Sequence, residues 1–518
     1  MASSIGRIPP TTVREWILDG HELALLDARE EGEFGAGHLF WAVPCPLSRA
    51  ELRVPMLLPR LSVRTVCTDD GRGVAERLAE YLVSKGATDV HVLDGGTKAW
   101  AEAGYVLFTG VNVPSKAFGE WVEHHYGTES VDAPELKRWQ DEGRDLVILD
   151  SRPMDEFHRM SIPGGINVPG GELAYRIGDL APDPNTLIVV NCAGRTRSIL
   201  GAESLRRAGV PNRVLALRNG TMGWELAGLA VERGRTERYP QGKPKTARLA
   251  LERARAFAEA SGVGVIGPLD LDRFEEDPDR TLYVLDVRDP AEFAARHRPG
   301  SRNAPGGQLI QATDNWIGVR GARIALIDDD GVRARMSGAW LRQMGHRDVF
   351  VVEGGLDDLA EPGPAVPLTP EVEETDTIPE GAVVLDLARS IEFRAGHIPG
   401  AIWGVRTRLN GMRDMLGQAK HVVITSPDGV LARLAVPEVK GMTDAPVQVL
   451  RGGTKAWAAA GGQLVADKTN PPDEACIDFY LRPYDRNAGI GEAMQAYLSW
   501  EIDLVREIER DGTVAFGV

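Results

Sequence analysis

The stretch that decides the fold runs from Leu187 to Gly209 and reads Leu-Ile-Val-Val-Asn-Cys-Ala-Gly-Arg-Thr-Arg-Ser-Ile-Leu-Gly-Ala-Glu-Ser-Leu-Arg-Arg-Ala-Gly. Its apolar, β-branched beginning predicts a buried strand, and the segment ending at Gly209 predicts a helix. Cys192 opens the turn between them. Amides at a helix N-terminus favour negative charge, so we expect a readily ionised thiol, with Arg195 and Arg197 adding positive potential. The alternative is a half-buried cysteine that packs as a small hydrophobic residue.

The composition limits the classes of function that are open to this chain. Its 518 residues predict three or four domains. A content of 43% hydrophobic and 26% charged residues is typical of soluble globular proteins. The formal net charge is −16 and no long basic run occurs, which argues against binding of nucleic acid or of an anionic membrane surface. Any anion-binding site must therefore be a local positive feature.

The cysteines and the N-terminal segment indicate the compartment. The chain has 4 cysteines, too few for a disulfide scaffold, and none forms a Cys-x-x-Cys pair that would suggest zinc or a dithiol redox motif. We therefore expect neither a metal nor another cofactor. The N-terminus lacks the apolar core of a signal peptide, and no apolar run approaches the ~20 residues that span a bilayer. A cytoplasmic location without membrane attachment is expected.

One set of motifs occurs four times along the chain. Each copy begins with an apolar strand ending in Leu-Asp, followed by a Glu-Phe pair. These strand-terminal aspartates are Asp27, Asp150, Asp286 and Asp386. A later glycine-rich motif ends in tryptophan in three copies, at Trp100, Trp224 and Trp457. Apolar strands that alternate with amphipathic helices predict parallel sheets covered on both faces, with ligands bound at the carboxyl ends of the strands, where Cys192 lies.

These motifs resemble the rhodanese family of sulfurtransferase domains. The matching features are the Leu-Asp-x-Arg…Glu-Phe pattern, the His-Ile-Pro-Gly-Ala segment 397–401, the loop that begins at Cys192 and the Gly-Gly-x-x-x-Trp motif. The resemblance covers most of the chain, and the layout is similar to that of four-domain bacterial rhodanese-like thiosulfate sulfurtransferases. It implies an α/β protein of four tandem rhodanese-like domains, each a small parallel sheet with helices on both faces, and a C-terminal helical tail.

The linkers place the domain boundaries. The predicted domains are 1–110, 111–235 with Cys192, 236–365 with an N-terminal linker helix, 366–468, and a tail at 469–518. Domains one and two are expected to pair, as in tandem members of the family. The tail contains a predicted helix near 489–510, and its apolar face should dock on the domains or, alternatively, on the second subunit of a homodimer. That face consists of Met494, Tyr497, Leu498, Ile502, Leu504 and Val505.

Only the second copy is predicted to be catalytic. Alignment on the glycine that ends the helix places Asp69 and Asp328 at the position of Cys192, and in the fourth copy the turn at 425–429 places Ser426 nearest to it. A carboxylate there repels anions and caps the helix, so copies one, three and four should be silent. Cys67 falls earlier, within a strand, and the other two cysteines lack a comparable loop, so we predict packing roles for all three.

The resemblance implies a mechanism for Cys192. Its thiolate attacks the outer sulfur of a donor such as thiosulfate, and the resulting persulfide passes sulfur to cyanide or a thiol. The predicted substrate-binding residues are Ala193, Gly194, Arg195, Thr196, Arg197 and Ser198. Their amides should hold the negative sulfur, Arg197 the sulfonate of the donor, and Arg195 should assist at the rim, unless either arginine forms a surface salt bridge. Thr196 and Ser198 offer hydroxyls, although Ser198 could instead be an N-cap.

Loop length distinguishes sulfur from phosphate chemistry within this resemblance. Related thiolate phosphatases have the arginine six residues after the cysteine, in a larger loop. Here Arg197 follows Cys192 by five residues, which resembles the sulfur-specific members. The Asp150–Arg152 pair and Glu156 recur in silent copies, so we interpret them as architectural ion pairs and caps, and no histidine is assigned a general-base role.

Two alternatives to a thiosulfate sulfurtransferase stay open. The first is a transferase that uses a persulfide or 3-mercaptopyruvate as its donor, because the two arginines do not exclude a carboxylate. The second is a non-catalytic sulfur carrier or scaffold, in which Cys192 yields its sulfur only to a specific protein and the silent copies bind partners.

Overall fold

The computed structural model of the protein describes residues 5–356 and 369–517, in which four α/β units follow one another. Unit one has strands β1 (Gly6–Ile8), β2 (Leu23–Asp27), β3 (Val43–Pro44), β4 (Thr65–Thr68) and β5 (Val90–Leu93). Its α-helices are α1 (Pro10–Leu18), α2 (Glu31–Phe34), α3 (Ala50–Leu57), α4 (Val74–Ser84) and α5 (Gly96–Glu102), with a 3₁₀-helix at Leu47–Arg49.

Unit two begins with the long helix α6 (Val113–Tyr126). Its strands are β6 (Ser130–Val131), β7 (Leu146–Asp150), β8 (Gly165–Asn167), β9 (Leu187–Asn191) and β10 (Val214–Leu217). The remaining helices are α7 (Ala133–Asp141), α8 (Met154–Arg159), α9 (Leu173–Leu180), α10 (Thr196–Arg207) and α11 (Gly220–Leu226), with a 3₁₀-helix at Gly170–Glu172.

Unit three begins with the linker helix α12 (Ala247–Ala260). Its strands are β11 (Gly264–Ile266), β12 (Leu282–Asp286), β13 (Arg302–Asn303), β14 (Val319–Arg320), β15 (Arg323–Ile327) and β16 (Asp348–Val352). Its other helices are α13 (Pro268–Glu275), α14 (Pro290–Ala295), α15 (Gly306–Gln311) and α16 (Val332–Gln343), with a 3₁₀-helix at Thr313–Asn315.

Unit four and the tail complete the described chain. The strands are β17 (Glu374–Thr375), β18 (Val383–Asp386), β19 (Ile402–Trp403), β20 (Val422–Thr425) and β21 (Val447–Leu450). The helices are α17 (Ser390–Ala395), α18 (Arg413–Gly417), α19 (Val430–Lys440), α20 (Gly453–Ala459) and, in the tail, α21 (Ile490–Asp511). The 3₁₀-helices are Arg406–Met412, Asp473–Ala475 and Pro483–Asp485.

The four sheets share one topology. The parallel strand order is β1-β5-β4-β2-β3 in unit one and β6-β10-β9-β7-β8 in unit two, and units three and four repeat it. In unit two the central strand β9 is buried over its whole length, as a strand covered on both faces should be. The predicted α/β fold of four tandem parallel-sheet units with a helical tail is confirmed. The predicted boundary at 365/366 lies outside the described residues.

Unit two packs on unit three rather than on unit one, so the expected pairing of the first two units is wrong. Glycines allow the two backbones to approach: a Cβ atom at Gly171 would lie 2.9 Å from the amide nitrogen of Gly307. Arg333 of unit three donates to Glu172 of unit two at 2.8 Å. Nothing in the periodicity of the sequence encodes such a contact between distant glycines.

Unit one also takes a strand from unit three. The short strand β14 pairs antiparallel with β2, with Val319 opposite Ala24. Unit four docks on unit one through Arg406, whose guanidinium donates to both carboxylate oxygens of Glu51 at 2.8 and 2.9 Å. The four units therefore form one connected body rather than a row of independent domains.

Helix α21 of the tail lies close to its predicted position and packs against α6 of unit two. Met494, Leu498 and Leu504 are buried there, as the apolar pattern predicts. Ile502, assigned to the same face, is instead 45% exposed because it projects away from α6. The helices of the described ranges, α21 included, all lack an apolar stretch of the length that a bilayer requires.

In units one, two and four the glycine-rich motif packs against the loop after the central strand. Gly220, at the start of α11, has φ of +54°, and a Cβ atom there would lie 2.7 Å from the carbonyl oxygen of Gly194 and closer still to that of Cys192. Gly96 and Gly453 meet the corresponding loops of units one and four in the same way. This glycine therefore lets α11 lie directly against the Cys192 loop.

We expect Gly220→Ala to lower the free energy of unfolding by about 1–3 kcal/mol more than Gly228→Ala, because the added methyl group must displace the loop backbone. Gly228 is the matched control, since its φ is also positive, +75°, but no atom lies within 4 Å of its Cβ position. Urea unfolding of both variants measures the difference. Equal losses of stability would contradict this account of the motif.

Candidate active site

Cys192 lies between the end of β9 and the start of α10, and the residue is 1% exposed. Its carbonyl oxygen accepts hydrogen bonds from the amide of Thr221 at 2.8 Å and from the Thr221 hydroxyl at 3.0 Å. The preceding Asn191 donates from Nδ2 to Asp150 at 3.0 Å. These contacts tie the loop to α11 on one side and to β7 on the other.

Unit one shows what the corresponding loop binds when no thiol is present. The carboxylate of Asp69, in the position of Cys192, accepts from the amides of Gly71 at 2.7 Å, Val74 at 2.7 Å and Ala75 at 3.2 Å. A side-chain anion therefore occupies the centre of a ring of backbone donors at the N-terminus of α4.

Units three and four fill the same ring with oxygen. Asp328 accepts from the amides of Gly331 at 2.7 Å and Ala334 at 3.1 Å. Burial raises the pKa of this carboxyl to about 6. In unit four the hydroxyl of Ser426 accepts from the amide of Ala432 at 3.3 Å.

In unit two the amide of Ser198 donates to the carbonyl oxygen of Arg195 at 3.0 Å, and three other amides of the loop are free. The amides of Gly194, Arg195 and Arg197 correspond to those of Gly71, Gly331 and Val74 in the other units, and none of the three donates a hydrogen bond within the described residues. The thiol of Cys192 thus occupies the position that carboxylates hold in units one and three. An anion at this sulfur would meet unpaired backbone donors.

Arg197 lies beside this loop and is paired with Glu156. Its two terminal nitrogens donate to the two carboxylate oxygens, both at 2.8 Å. Burial alone would lower the pKa of Arg197, but Glu156 and, more weakly, the Cys192 sulfur raise it. Burial would raise the pKa of Glu156, yet Arg197 together with Arg482 and Arg152 lowers it to about 2. The same pair recurs in unit three, which supports the architectural role predicted for Glu156.

Arg195 does not reach the position predicted for it at the rim. Its guanidinium is 8% exposed and donates to both carboxylate oxygens of Glu120 at 2.8 Å, and it also pairs with Glu123. Both glutamates belong to α6. The alternative of a salt bridge describes Arg195 better, although the pair is buried rather than on the surface, because α6 covers this side of the loop.

The other loop residues have different surroundings. Ala193 lines a cavity, and Gly194 lies against the tail, where a Cβ atom would be 3.3 Å from an oxygen of Glu501. Thr196 donates its hydroxyl to Glu501 at 3.4 Å. Ser198 lies inside the first turn of α10 and its buried hydroxyl has no partner among the described residues, so the N-cap alternative for Ser198 is wrong.

A cavity of about 350 Å³ opens beside Ala193 and Arg197. Its walls come from unit two, from the tail and, at Gln311 and Lys468, from units three and four. The basic residues that line it are Lys116, Arg152, Arg159, Arg197, Arg233, Lys468 and Arg482. The acidic ones are Glu156, Glu225 and Asp485. The cavity is therefore locally positive in a chain of net charge −16, as the composition requires of an anion site.

Sequence reasoning missed the group that joins the tail to this cavity. The ammonium of Lys116 on α6 donates to Glu501 of α21 at 2.9 Å and to the hydroxyl of Tyr497. Burial lowers the pKa of Lys116, but Glu501 and Tyr497 more than reverse the effect and raise it above the usual value. The sequence pattern predicts Tyr497 on an apolar face of the tail helix. No spacing in the sequence links this tyrosine to a lysine so far away along the chain.

The remaining cysteines are buried away from the cavity. Burial raises the pKa of Cys45 to about 12 and also raises the pKa of Cys67 and of Cys476. Their surroundings agree with the packing roles predicted for them. Within residues 5–356 and 369–517, no group of three histidine, cysteine or carboxylate side chains is arranged to hold a metal ion.

Curated relatives match parts of this chain. The HTH-type transcriptional regulator Rv0324 of Mycobacterium tuberculosis is 35% identical over 107 residues, which are 20% of this chain and 46% of the regulator. The chain thus spans less than half of that relative. The uncharacterized protein YqhL of Bacillus subtilis is 34% identical over 95 residues, or 18% of this chain and 74% of YqhL.

A solved structure matches nearly the whole chain. The crystal structure of thiosulfate sulfurtransferase from Pseudomonas aeruginosa is 44% identical in sequence, covers 99% of this chain and 100% of its own, and superposes with a TM-score of 0.92. The sequence pattern of the rhodanese-like domain matches residues 10–103, 132–227 and 270–361, together more than half of the chain. On these matches, this chain belongs to the rhodanese-like domain family.

Proposed function

We propose that this protein is a thiosulfate sulfurtransferase that carries sulfur as a persulfide on Cys192. One observation carries the proposal: three backbone amides of the Cys192 loop are free, whereas in the other units a carboxylate or a hydroxyl at the position of the thiol accepts from amides of this loop. The positive cavity beside it suits an anionic donor. The likeness to the thiosulfate sulfurtransferase of Pseudomonas aeruginosa over 99% of the chain supports the same activity here.

In the first half-reaction the thiolate of Cys192 attacks the outer sulfur of thiosulfate. A bond forms between the cysteine sulfur and that atom, the sulfur–sulfur bond of thiosulfate breaks, and its electron pair leaves with sulfite. The persulfide keeps one negative charge and sulfite carries two, so charge is conserved. The amides of Gly194, Arg195 and Arg197 stabilise the negative terminal sulfur, and the hydroxyl of Ser198 is a further candidate donor.

In the second half-reaction an acceptor nucleophile attacks the terminal sulfur. Cyanide leaves as thiocyanate, or a thiolate leaves as a persulfide, and the electron pair of the broken bond returns to Cys192 as a thiolate. Because both half-reactions share one covalent intermediate, the kinetics should be ping-pong. No general base is assigned, because no histidine among the described residues lines the cavity and the free amides of the loop stabilise a sulfur anion.

Arg197 contributes to donor binding mainly through its charge. Both of its terminal nitrogens are engaged by Glu156, while its Nε has no acceptor within the described residues. Arg152 also lines the cavity but donates to Asp150 at 2.8 and 2.7 Å. Arg195 has no part in donor binding in this proposal, because Glu120 and Glu123 hold it on the other side of the loop.

Mass spectrometry tests the covalent step. Treatment with thiosulfate should add about 32 Da, the mass of one sulfur atom, to the peptide that contains Cys192. Cys192→Ser should abolish both this gain and turnover, whereas Cys476→Ser should retain both, because the Cys476 thiol donates to the carbonyl oxygen of Pro472 and burial raises its pKa. Turnover that survives Cys192→Ser would refute the proposal.

Donor comparison separates the remaining alternatives. Thiosulfate should give a higher kcat/KM than glutathione persulfide or 3-mercaptopyruvate, because a compact dianion fits beside the free amides of the Cys192 loop. A higher kcat/KM for either of the other two donors would identify that donor, rather than thiosulfate, as the substrate. A persulfide that forms but turns over with no small acceptor would favour the sulfur-carrier alternative.

The depressed pKa of Glu156 predicts a pH-dependent stability. Its pKa in the folded protein is about 2, below the ordinary value of 4.5, so its ionisation stabilises the fold above pH 4.5 and that contribution is lost as the pH falls toward 2. Glu156→Gln should therefore lower the free energy of unfolding by about 1–3 kcal/mol at neutral pH. The difference in this free energy between the variant and the wild type should become smaller in acid.

Urea unfolding at several pH values measures this difference. Glu135→Gln is the control, because Glu135 pairs with Arg138 on the surface. This substitution should change the free energy of unfolding by no more than about 0.5 kcal/mol at any pH. A gap between the wild type and Glu156→Gln that stays constant down to pH values near 3 would contradict the assigned pKa.

A further inference from the structure

We infer that Arg233, Lys468 and Arg482 form a second anion-binding subsite at the mouth of the Cys192 cavity, and that it binds the carboxylates of a peptide-sized thiol that accepts the sulfur. The inference rests on the proposed function and adds the chemical class of the acceptor.

Apart from the exposed Arg159, which pairs with Asp485, the positive side chains of the cavity fall into two groups. The inner ones are buried or nearly so, and each is paired with a carboxylate: Lys116 with Glu501, Arg152 with Asp150, and Arg197 with Glu156. The outer group consists of Arg233, Lys468 and Arg482, which are exposed and form no salt bridge with any described residue. The uncompensated positive charge of the cavity therefore lies at its mouth.

The size of the cavity indicates a ligand larger than the donor. A volume of about 350 Å³ falls within the range of pockets that hold organic ligands of drug size. Thiosulfate has only five non-hydrogen atoms and would occupy a small part of it, next to the loop. Tyr484, Ile490 and Met494 line the remaining wall and offer apolar contact to a ligand backbone. A thiol acceptor whose carboxylates lie some distance from its sulfur would contact the apolar wall with its backbone and the basic residues at the mouth with its carboxylates.

The three mouth residues come from parts of the chain that lie outside the matched rhodanese-like ranges, 10–103, 132–227 and 270–361. Arg233 follows unit two, Lys468 ends unit four, and Arg482 belongs to the tail. The subsite is thus an addition to the domain that holds Cys192 rather than part of its shared pattern.

The silent units hold the tail segment of this subsite in place. In unit four, Arg394 donates to the carbonyl oxygen of Pro471 and, at 2.9 Å, to Asp473. In unit one, the amide of Gly32 donates to the carbonyl oxygen of Ile477 at 2.8 Å. Arg482 follows directly after these anchors, so units without a catalytic thiol determine where this guanidinium lies.

The chemistry at the subsite is binding, and the sulfur transfer itself stays at Cys192. The acceptor thiol loses its proton to solvent, its thiolate bonds to the terminal sulfur of the persulfide, and the electron pair of the broken bond returns to the cysteine. The guanidinium and ammonium groups at the mouth pair with the acceptor's carboxylates in both the bound and the reacting state. Their removal should therefore raise KM for the acceptor and leave kcat unchanged.

Steady-state kinetics with two acceptors test the inference. Glutathione, which has two carboxylates, is the anionic probe, and 2-mercaptoethanol is the neutral one. For the double variant Lys468→Gln/Arg482→Gln we expect KM for glutathione to rise about 3- to 10-fold. The KM for 2-mercaptoethanol and the rate of persulfide formation from thiosulfate should change less than about twofold.

A control variant removes the same amount of charge elsewhere. Arg77→Gln/Lys455→Gln alters two exposed basic residues that do not line the cavity, and it should leave all these parameters as in the wild type. Added salt should raise KM for glutathione in the wild type and in the control, and do so less in the cavity variant.

Several outcomes would overturn the inference. These are an unchanged KM for glutathione, equal increases for both acceptors, an equal effect of the control variant, or an increase confined to the thiosulfate half-reaction. Failure of the proposed function is distinguishable, because in that case thiosulfate adds no sulfur to wild-type Cys192. A persulfide that forms normally and reacts with both thiols alike refutes the subsite alone.

Discussion

The structure depends on one electrostatic constraint that is repeated four times. A parallel strand ends opposite the N-terminus of a helix, and the loop between them directs several backbone amides at a single side chain. Such donors need a partner with negative charge or a lone pair. In three units Asp69, Asp328 and Ser426 provide an oxygen that accepts hydrogen bonds from amides of the loop and the helix. At Cys192 three amides have no such oxygen among the described residues, and we propose that they bind a sulfur anion.

Paired charges surround that sulfur, and their arrangement explains how an acidic protein keeps a positive cavity. Glu120 and Glu156 do not cancel the function of the arginines beside the loop; they hold each guanidinium in one orientation at buried positions where an unpaired charge would be costly. Free positive charge appears only at the mouth, where water lowers that cost. The inner cavity is thus rigid and nearly neutralised, while its entrance attracts anions.

The sequence predicted what local patterns encode. The strand, turn and helix around Cys192, the fourfold recurrence and the oxygen at the silent positions all follow from periodicity and spacing within short segments. The contacts of Arg195 with Glu120, and of Glu501 with the loop at Gly194, join residues far apart along the chain, and no local pattern selects one distant carboxylate over another. The two-residue strand β14 is too short to show any periodicity, so its pairing with unit one could not be foreseen.

The contact between α21 and the Cys192 loop also bears on how the protein matures. The strand and helix that carry the thiol are synthesised well before the ribosome reaches α21, which begins at Ile490. Glu501 and Tyr497 of this last helix form one side of the loop's surroundings. A nascent chain therefore has Cys192 long before it has the wall that encloses the loop, and this pocket forms only after α21 has been translated.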